Sequence, residues 1–301
     1  MKKIKFCAGW SDSESITKRL LEQFKTSDND ISNIEFVYDN SYDIIVFNNY
    51  VSEKPKSGTK SLIFFHEPSW VGSHQKYFNE YDDIIIYGYD KNNYDCPSKV
   101  IETPSHSFYG GRGPEIEGWD FWNYKNLSTL EFNKTKKISS VVSTLNSKTS
   151  FCPFGCLYDD RFKLISELIK TTDFVDFYGW EKNDSNLKGG LNKKKDGLVD
   201  YKFSICIENA NEKNWISEKF FDCVLTNTIP IYFGCSNIKE FFPEEGYFLL
   251  NNITNIDEVK NLLKNIDENS DYLYDQMLPN LLKIKEKYFK EFNILKKINN
   301  L

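Results

Sequence analysis

Apolar residues along this chain cluster into short continuous runs separated by polar turns. KIKFCA (3–8), IEFVYD (34–39), YDIIVFNN (42–49), SLIFFHE (61–67) and DDIIIYGYD (82–90) read as strands. Several are unbroken rather than alternating, which is the pattern of parallel strands covered on both faces. SESITKRLLEQF (13–24) has helical spacing and begins among Ser and Asp residues suited to capping. Residues 107–135 are Gly-rich and irregular, which predicts a long connection or binding loop with a boundary near its end. The pattern then restarts: strand KISSVVS, helix YDDRFKLISELIK, strands VDFYGW and YKFSICIEN, helix ISEKFFDCVLTN and strand IPIYFG. The tail from NIDEVKNLL onward is helical and Lys-rich, and is expected to present a solvated face.

This alternation predicts an α/β protein in two halves, 1–135 and 136–301, with a parallel sheet in the second. Binding loops are then expected at the carboxyl ends of the strands, in a cleft between the halves. The polar run ENANEKN lies at such a place, after YKFSICI and before ISEKFF.

Composition narrows the class. The 301 residues are 40% hydrophobic and 27% charged, with 24 Phe and 18 Tyr, enough for a sizeable core. The net charge of -6 argues against nucleic acid as a main partner. No apolar run is long enough to span a bilayer, and MKKIKFCAGWSDSES carries no apolar leader, so a cytoplasmic protein is expected. The seven cysteines are scattered, apart from Cys152 and Cys156 in CPFGC. With the histidines (His66, His74, His106) distant in sequence, buried or free thiols in a reducing compartment are expected rather than a zinc site.

The candidate chemistry starts with Glu218 and Lys219, side by side where a helix begins. Neighbours on a helix point about 100° apart, so each is expected to find its own partner. A helix N-terminus with a lysine beside it suits an anion, and a carboxylate there can accept from paired hydroxyls such as those of a ribose. The plainer alternative is a carboxylate on the helix dipole beside a solvated lysine. Arg161 opens another helix, where a cation is unfavourable without an anion; it either helps clamp a pyrophosphate or pairs with Asp159, Asp160 or Glu167. Glu67 ends a strand facing the cleft, either as a general base or as a cap on the following turn. His66 is a further candidate base or a packed histidine. Asp28, Asn29 and Asp30 form a D-x-D in a polar loop rather than at a strand end, which does not suit a metal. NKKKDG (192–197) reads as a basic turn. There is no G-x-G-x-x-G, Walker A, G-x-S-x-G or H-E-x-x-H motif.

Residues 200–243, DYKFSICIENANEKNWISEKFFDCVLTNTIPIYFGCSNIKEFFP, resemble the signature region of the α-1,3/1,4-fucosyltransferases, glycosyltransferase family 10. That family reads approximately Y-K-F-x-[LIV]-x-[FI]-E-N-S, then Y-[VI]-T-E-K, a helix, and [IV]-P-[IV]-x-x-G. KISSVVST with YDDRFKLISEL, VDFYGW, and FFHEPSW with YDDIIIYGYD extend the resemblance outward. Trp215 stands where the family commonly has tyrosine, and Ser217 where it has threonine.

The resemblance implies a GT-B fold, two Rossmann-like halves with an interdomain cleft. The acceptor would sit on the first half and the nucleotide sugar on the second. It implies inverting transfer of fucose from GDP-fucose to a hydroxyl of a glycan, with no metal required. Carried over by position, Glu218 would hold the ribose hydroxyls and Lys219 and Arg161 the pyrophosphate. Asn209 and Trp215 would help line the donor site, and Glu67 would be the base. Two other readings stay open: a GT-B glycosyltransferase with a different nucleotide-sugar donor, and a non-catalytic sugar-nucleotide or glycan-binding protein.

Overall fold

A computed structural model of the chain describes residues 1–9, 11–24, 31–69, 83–104, 130–141, 156–179 and 187–300. The first half is built on β1 (Lys2–Ala8), β2 (Ile34–Phe36), β3 (Ile44–Asn48), β4 (Lys60–Phe64), β5 (Ile84–Gly88) and β6 (Val100–Glu102). These form one sheet in the order β2-β1-β3-β4-β5-β6, with every pairing parallel. Helix α1 (Ser13–Phe24) covers it, packing against β1. Apolar contact on both faces explains the unbroken runs. Ile4, Phe6, Val46, Leu62 and Phe64 enter one core cluster, while Cys7, Ile45, Phe47, Ile63 and Phe65 enter another.

The second half holds β7 (Lys136–Ser140), α2 (Tyr158–Thr171), β8 (Val175–Phe177), β9 (Tyr201–Ile207), α3 (Glu218–Leu225), β10 (Ile229–Phe233) and β11 (Phe248–Leu249). Its sheet is also parallel, in the order β11-β10-β9-β7-β8, with β9 at the centre. The chain closes with α4 (Ile256–Glu268), α5 (Ser270–Glu291) and α6 (Ile294–Asn299).

The tail corrects one expectation. It is not simply a solvated face, because Val259, Leu263 and Ile266 of α4 and Leu281, Ile284 and Tyr288 of α5 are buried. The last helix, α6, packs against α1 of the first half, with Leu295 and Ile298 fully buried. Its spacing of apolar residues, rather than its lysine content, decides its place.

Cysteine chemistry is also corrected. Cys7, Cys96, Cys206, Cys223 and Cys235 are free and buried, but Cys156 is disulfide-bonded. Unlike those five it is only half-buried, at a bridge to Ala210. The D-x-D at 28–30, His74, His106, Cys152 and residues 107–129 of the predicted loop lie outside the described residues. Among the described residues, no helix is long and apolar enough to cross a membrane, and no group of three or more His, Cys, Asp or Glu is placed to hold a metal ion.

Candidate active site

Two loops that follow strand carboxyl ends meet between the halves, as parallel α/β sheets favour. One follows β4 and carries His66, Glu67 and Ser69. The other follows β9, runs through residues 208–217 and leads into α3.

Glu208 organises the second loop. It is fully buried and accepts from the Ser217 N–H at 2.8 Å and the Ser217 hydroxyl at 2.5 Å. Gly234 packs so closely on it that a Cβ there would stand 2.3 Å from the Glu208 Cγ. Burial pushes the Glu208 carboxyl above its usual range, with Lys219 opposing and Glu218 adding to the shift. Ser217 in turn caps α3, its Oγ accepting from the Lys219 N–H at 3.2 Å. A network of this kind fixes the direction in which α3 starts.

At that start, the structure departs from the expectation that Glu218 and Lys219 find separate partners. Lys219 Nζ lies 3.0 Å from Glu218 Oε1 and 3.9 Å from Glu208 Oε2. The 100° rule describes a helix interior. At the first turn no preceding turn blocks a side chain, so the long lysine folds back over the helix end. A second lysine, Lys194, pairs with buried Asp222 of α3 and acts on Glu218. Burial opposes ionisation of Glu218, yet Lys219 and Lys194 together bring its pKa down to about 2. Burial likewise opposes charge on Lys219, but Glu218 and Glu208 raise its pKa.

Arg161 reaches the same place from the first turn of α2. It is 1% exposed, stacks its guanidinium on Tyr158 at 5.0 Å, and points Nη1 toward the carbonyls of Ile207 and Glu208, each at 3.4 Å. Its Nε has no hydrogen-bond partner among the described residues. Burial lowers its pKa, while Tyr158, Glu208 and Glu218 act the other way. Ion pairing with Asp159, Asp160 or Glu167 is not what holds it. A buried guanidinium whose Nε has no partner among the described residues is a ready anion site.

Glu67 completes the group from the first half. Solvent reaches the residue, but protein crowding its carboxyl raises the pKa; Glu218 and Glu208 add to this and Lys219 opposes it. The structure therefore brings Glu67 and Lys219 within electrostatic reach of Glu218 and Glu208, and Arg161 within reach of the same two carboxylates. Asn209 and Trp215 are placed differently. Trp215 is 1% exposed, meets the ring of Tyr89 from the first half at 5.1 Å, and donates from Nε1 to Asn209 Oδ1 at 3.2 Å. The pair is enclosed between the halves. His66 donates its backbone N–H to Asn49 Oδ1 at 2.6 Å. Sequence reasoning passed over Glu208, although it precedes Asn209 in the quoted E-N motif, and read Lys194 only as part of a turn.

Two facing halves, each a parallel sheet with helices, and a polar site between the strand ends define the GT-B glycosyltransferase fold. Residues 132–278 match the model of the glycosyltransferase family 10 (fucosyltransferase) C-terminal domain. The α-(1,3)-fucosyltransferase FucT of Helicobacter pylori is 27% identical over 92 residues, a stretch covering 31% of this chain and 19% of that enzyme. A solved α1,3-fucosyltransferase with GDP-fucose superposes with a TM-score of 0.51 and 17% identity, covering 97% of this chain and 90% of that one. An α-glucosyltransferase in complex with UDP and DNA superposes with a TM-score of 0.54 and 12% identity, covering 98% and 99%.

Proposed function

We propose that this protein transfers fucose from GDP-fucose to a hydroxyl of a glycan acceptor, with inversion at the sugar carbon. The observation that carries the reading is the convergence of buried Arg161 with Lys219 and Glu218 at the start of α3, opposite Glu67. Arg161, whose Nε has no partner among the described residues, and Lys219 take the diphosphate. Glu218, held ionised, accepts from the ribose hydroxyls. Binding exchanges the Lys219–Glu218 pair for contacts to phosphate and ribose.

The chemistry follows from where charge develops. As the sugar–phosphate bond breaks, negative charge grows on the leaving diphosphate, and cations already in place there stabilise the transition state more than the ground state. Glu67, on the other half, takes the acceptor hydroxyl's proton as the oxygen attacks from the opposite face of the sugar. A raised carboxyl pKa makes it a stronger base than an ordinary glutamate. The family model that residues 132–278 match and the α-(1,3)-fucosyltransferase relative support fucose as the cargo. The comparable superposition on a UDP-bound glucosyltransferase supports a second reading, with the same clamp and a uridine donor.

The test is GDP release and glycan product formation from GDP-fucose with a panel of oligosaccharide acceptors. Fucosylated product from the wild type, and none from Glu67→Gln, is the expected result. Product from a UDP-sugar and none from GDP-fucose would select the second reading.

A further inference from the structure

The loop that presents Glu218 and Lys219 also makes a set of contacts that donor binding does not use. Glu212, in its middle, is 8% exposed. Its Oε2 accepts from the Ser69 N–H at 3.0 Å and its Oε1 from Asn93 Nδ2 at 3.0 Å, so both carboxylate oxygens bind the first half. The contacts beside it point the same way. Asn214, held at φ 64, donates from Nδ2 to the Tyr89 carbonyl at 2.9 Å, and Lys213 pairs with Glu102 at 3.1 Å. Burying a carboxylate is costly unless its oxygens are satisfied, and here two donors on the far side of the cleft satisfy them.

Ser69 lies two residues beyond Glu67, with only Pro68 between them. Proline fixes its own φ, so anchoring the Ser69 N–H restricts the short peptide that aims Glu67. We propose that Glu212 is a positioning residue: through Ser69 it holds Glu67 in register with the loop that carries Glu218 and Lys219. The inference rests on Glu67 being the base. It gives the two halves of the site one mechanical link, so that the base and the diphosphate clamp keep their spacing. A displacement of about 1 Å at such a centre is enough to lower turnover on the order of a hundredfold.

The experiment compares Glu212→Ala, Glu212→Gln, the double variant Glu212→Gln with Asn93→Asp, and Glu67→Gln. Each is measured for kcat, acceptor KM and GDP affinity. Glu212→Ala is expected to lower kcat by on the order of tenfold to a hundredfold. Its acceptor KM and GDP Kd should stay within about twofold, as for sites that do not share a partner. Glu212→Gln keeps an acceptor for Ser69 but sets an N–H against the Asn93 amide, which must turn over to accept it, and should lower turnover less than Glu212→Ala. Adding Asn93→Asp supplies an acceptor that needs no such turn and should restore kcat with acceptor KM and GDP Kd unchanged. Wild-type kcat in Glu212→Ala beside an inactive Glu67→Gln overturns the proposal. So does a loss of GDP affinity that parallels the loss of kcat. If Glu212→Ala does not fold, failure of the double variant to improve on Glu212→Gln overturns it. Wild-type turnover by Glu67→Gln instead removes the base assignment, whatever Glu212 does.

Discussion

Lys219 Nζ stands 3.0 Å from Glu218 Oε1 and 3.9 Å from the fully buried Glu208 Oε2, so one ammonium balances two carboxylates. Removing it leaves Glu208 without its ion-pair partner and Glu218 with Lys194 as the remaining nearby lysine, in the place where a diphosphate would bind. A hydrogen bond to a charged group contributes about 1.5–3 kcal/mol. Lys219→Ala should therefore weaken GDP binding by roughly tenfold to a hundredfold, as read by calorimetric titration. Unchanged affinity would make Lys219 a structural counter-ion only.

Glu67 sets the pH dependence. Its carboxyl is held above the ordinary 4.5, chiefly because the protein crowding it disfavours its charge. The base works only when deprotonated, so activity is present above that raised pKa and is lost as pH falls through it. The acid limb of kcat/KM should lie above pH 4.5. A flat profile down to that value contradicts the assignment.

Trp215 joins the halves. Its ring is 1% exposed, set edge-on to Tyr89 at 5.1 Å, and its indole N–H is satisfied by Asn209. Trp215→Ala should cost about 3–5 kcal/mol of stability in urea unfolding, the usual range for a buried Trp. A loss below about 1 kcal/mol would show that this contact does not hold the halves together.

Lys134 carries a different signature. It donates to Thr228 Oγ1 at 2.9 Å and the Leu198 carbonyl at 3.2 Å, and burial lowers its pKa to about 7. The unfolded value is near 10.5, so the folded state binds fewer protons between these limits. Its contribution to stability therefore rises with pH from about 7 to 10.5 and is lost as pH falls through about 7. Lys134→Met should flatten the increase in urea midpoint between pH 7 and 9 relative to wild type. Parallel curves for the two proteins would contradict this.

How much was legible in the sequence depended on length and burial. Strands such as Ile44–Asn48 and Tyr201–Ile207 could be read because both faces are covered and, apart from Asn48 and Lys202, their positions are apolar or small. The edge strands Val100–Glu102 and Phe248–Leu249 are 3 and 2 residues long, too short to set a period. Glu218, Lys219, Arg161 and Glu67 were legible as candidates because a motif and strand or helix ends marked them. Their couplings were not. The Lys219–Glu218 pair depends on the open first turn of α3. The enclosure of Trp215 depends on Tyr89, 126 residues earlier in the chain. Glu212 looked like one more polar loop residue because its partners, Ser69 and Asn93, belong to the other half.

The central claim is a guanosine diphosphate clamp built on Arg161, Glu218 and Lys219. Its most direct test is calorimetric titration of the purified protein with GDP, GDP-fucose and UDP. The account predicts that GDP and GDP-fucose bind and UDP does not. Binding of UDP without GDP, or of none of the three, would contradict it.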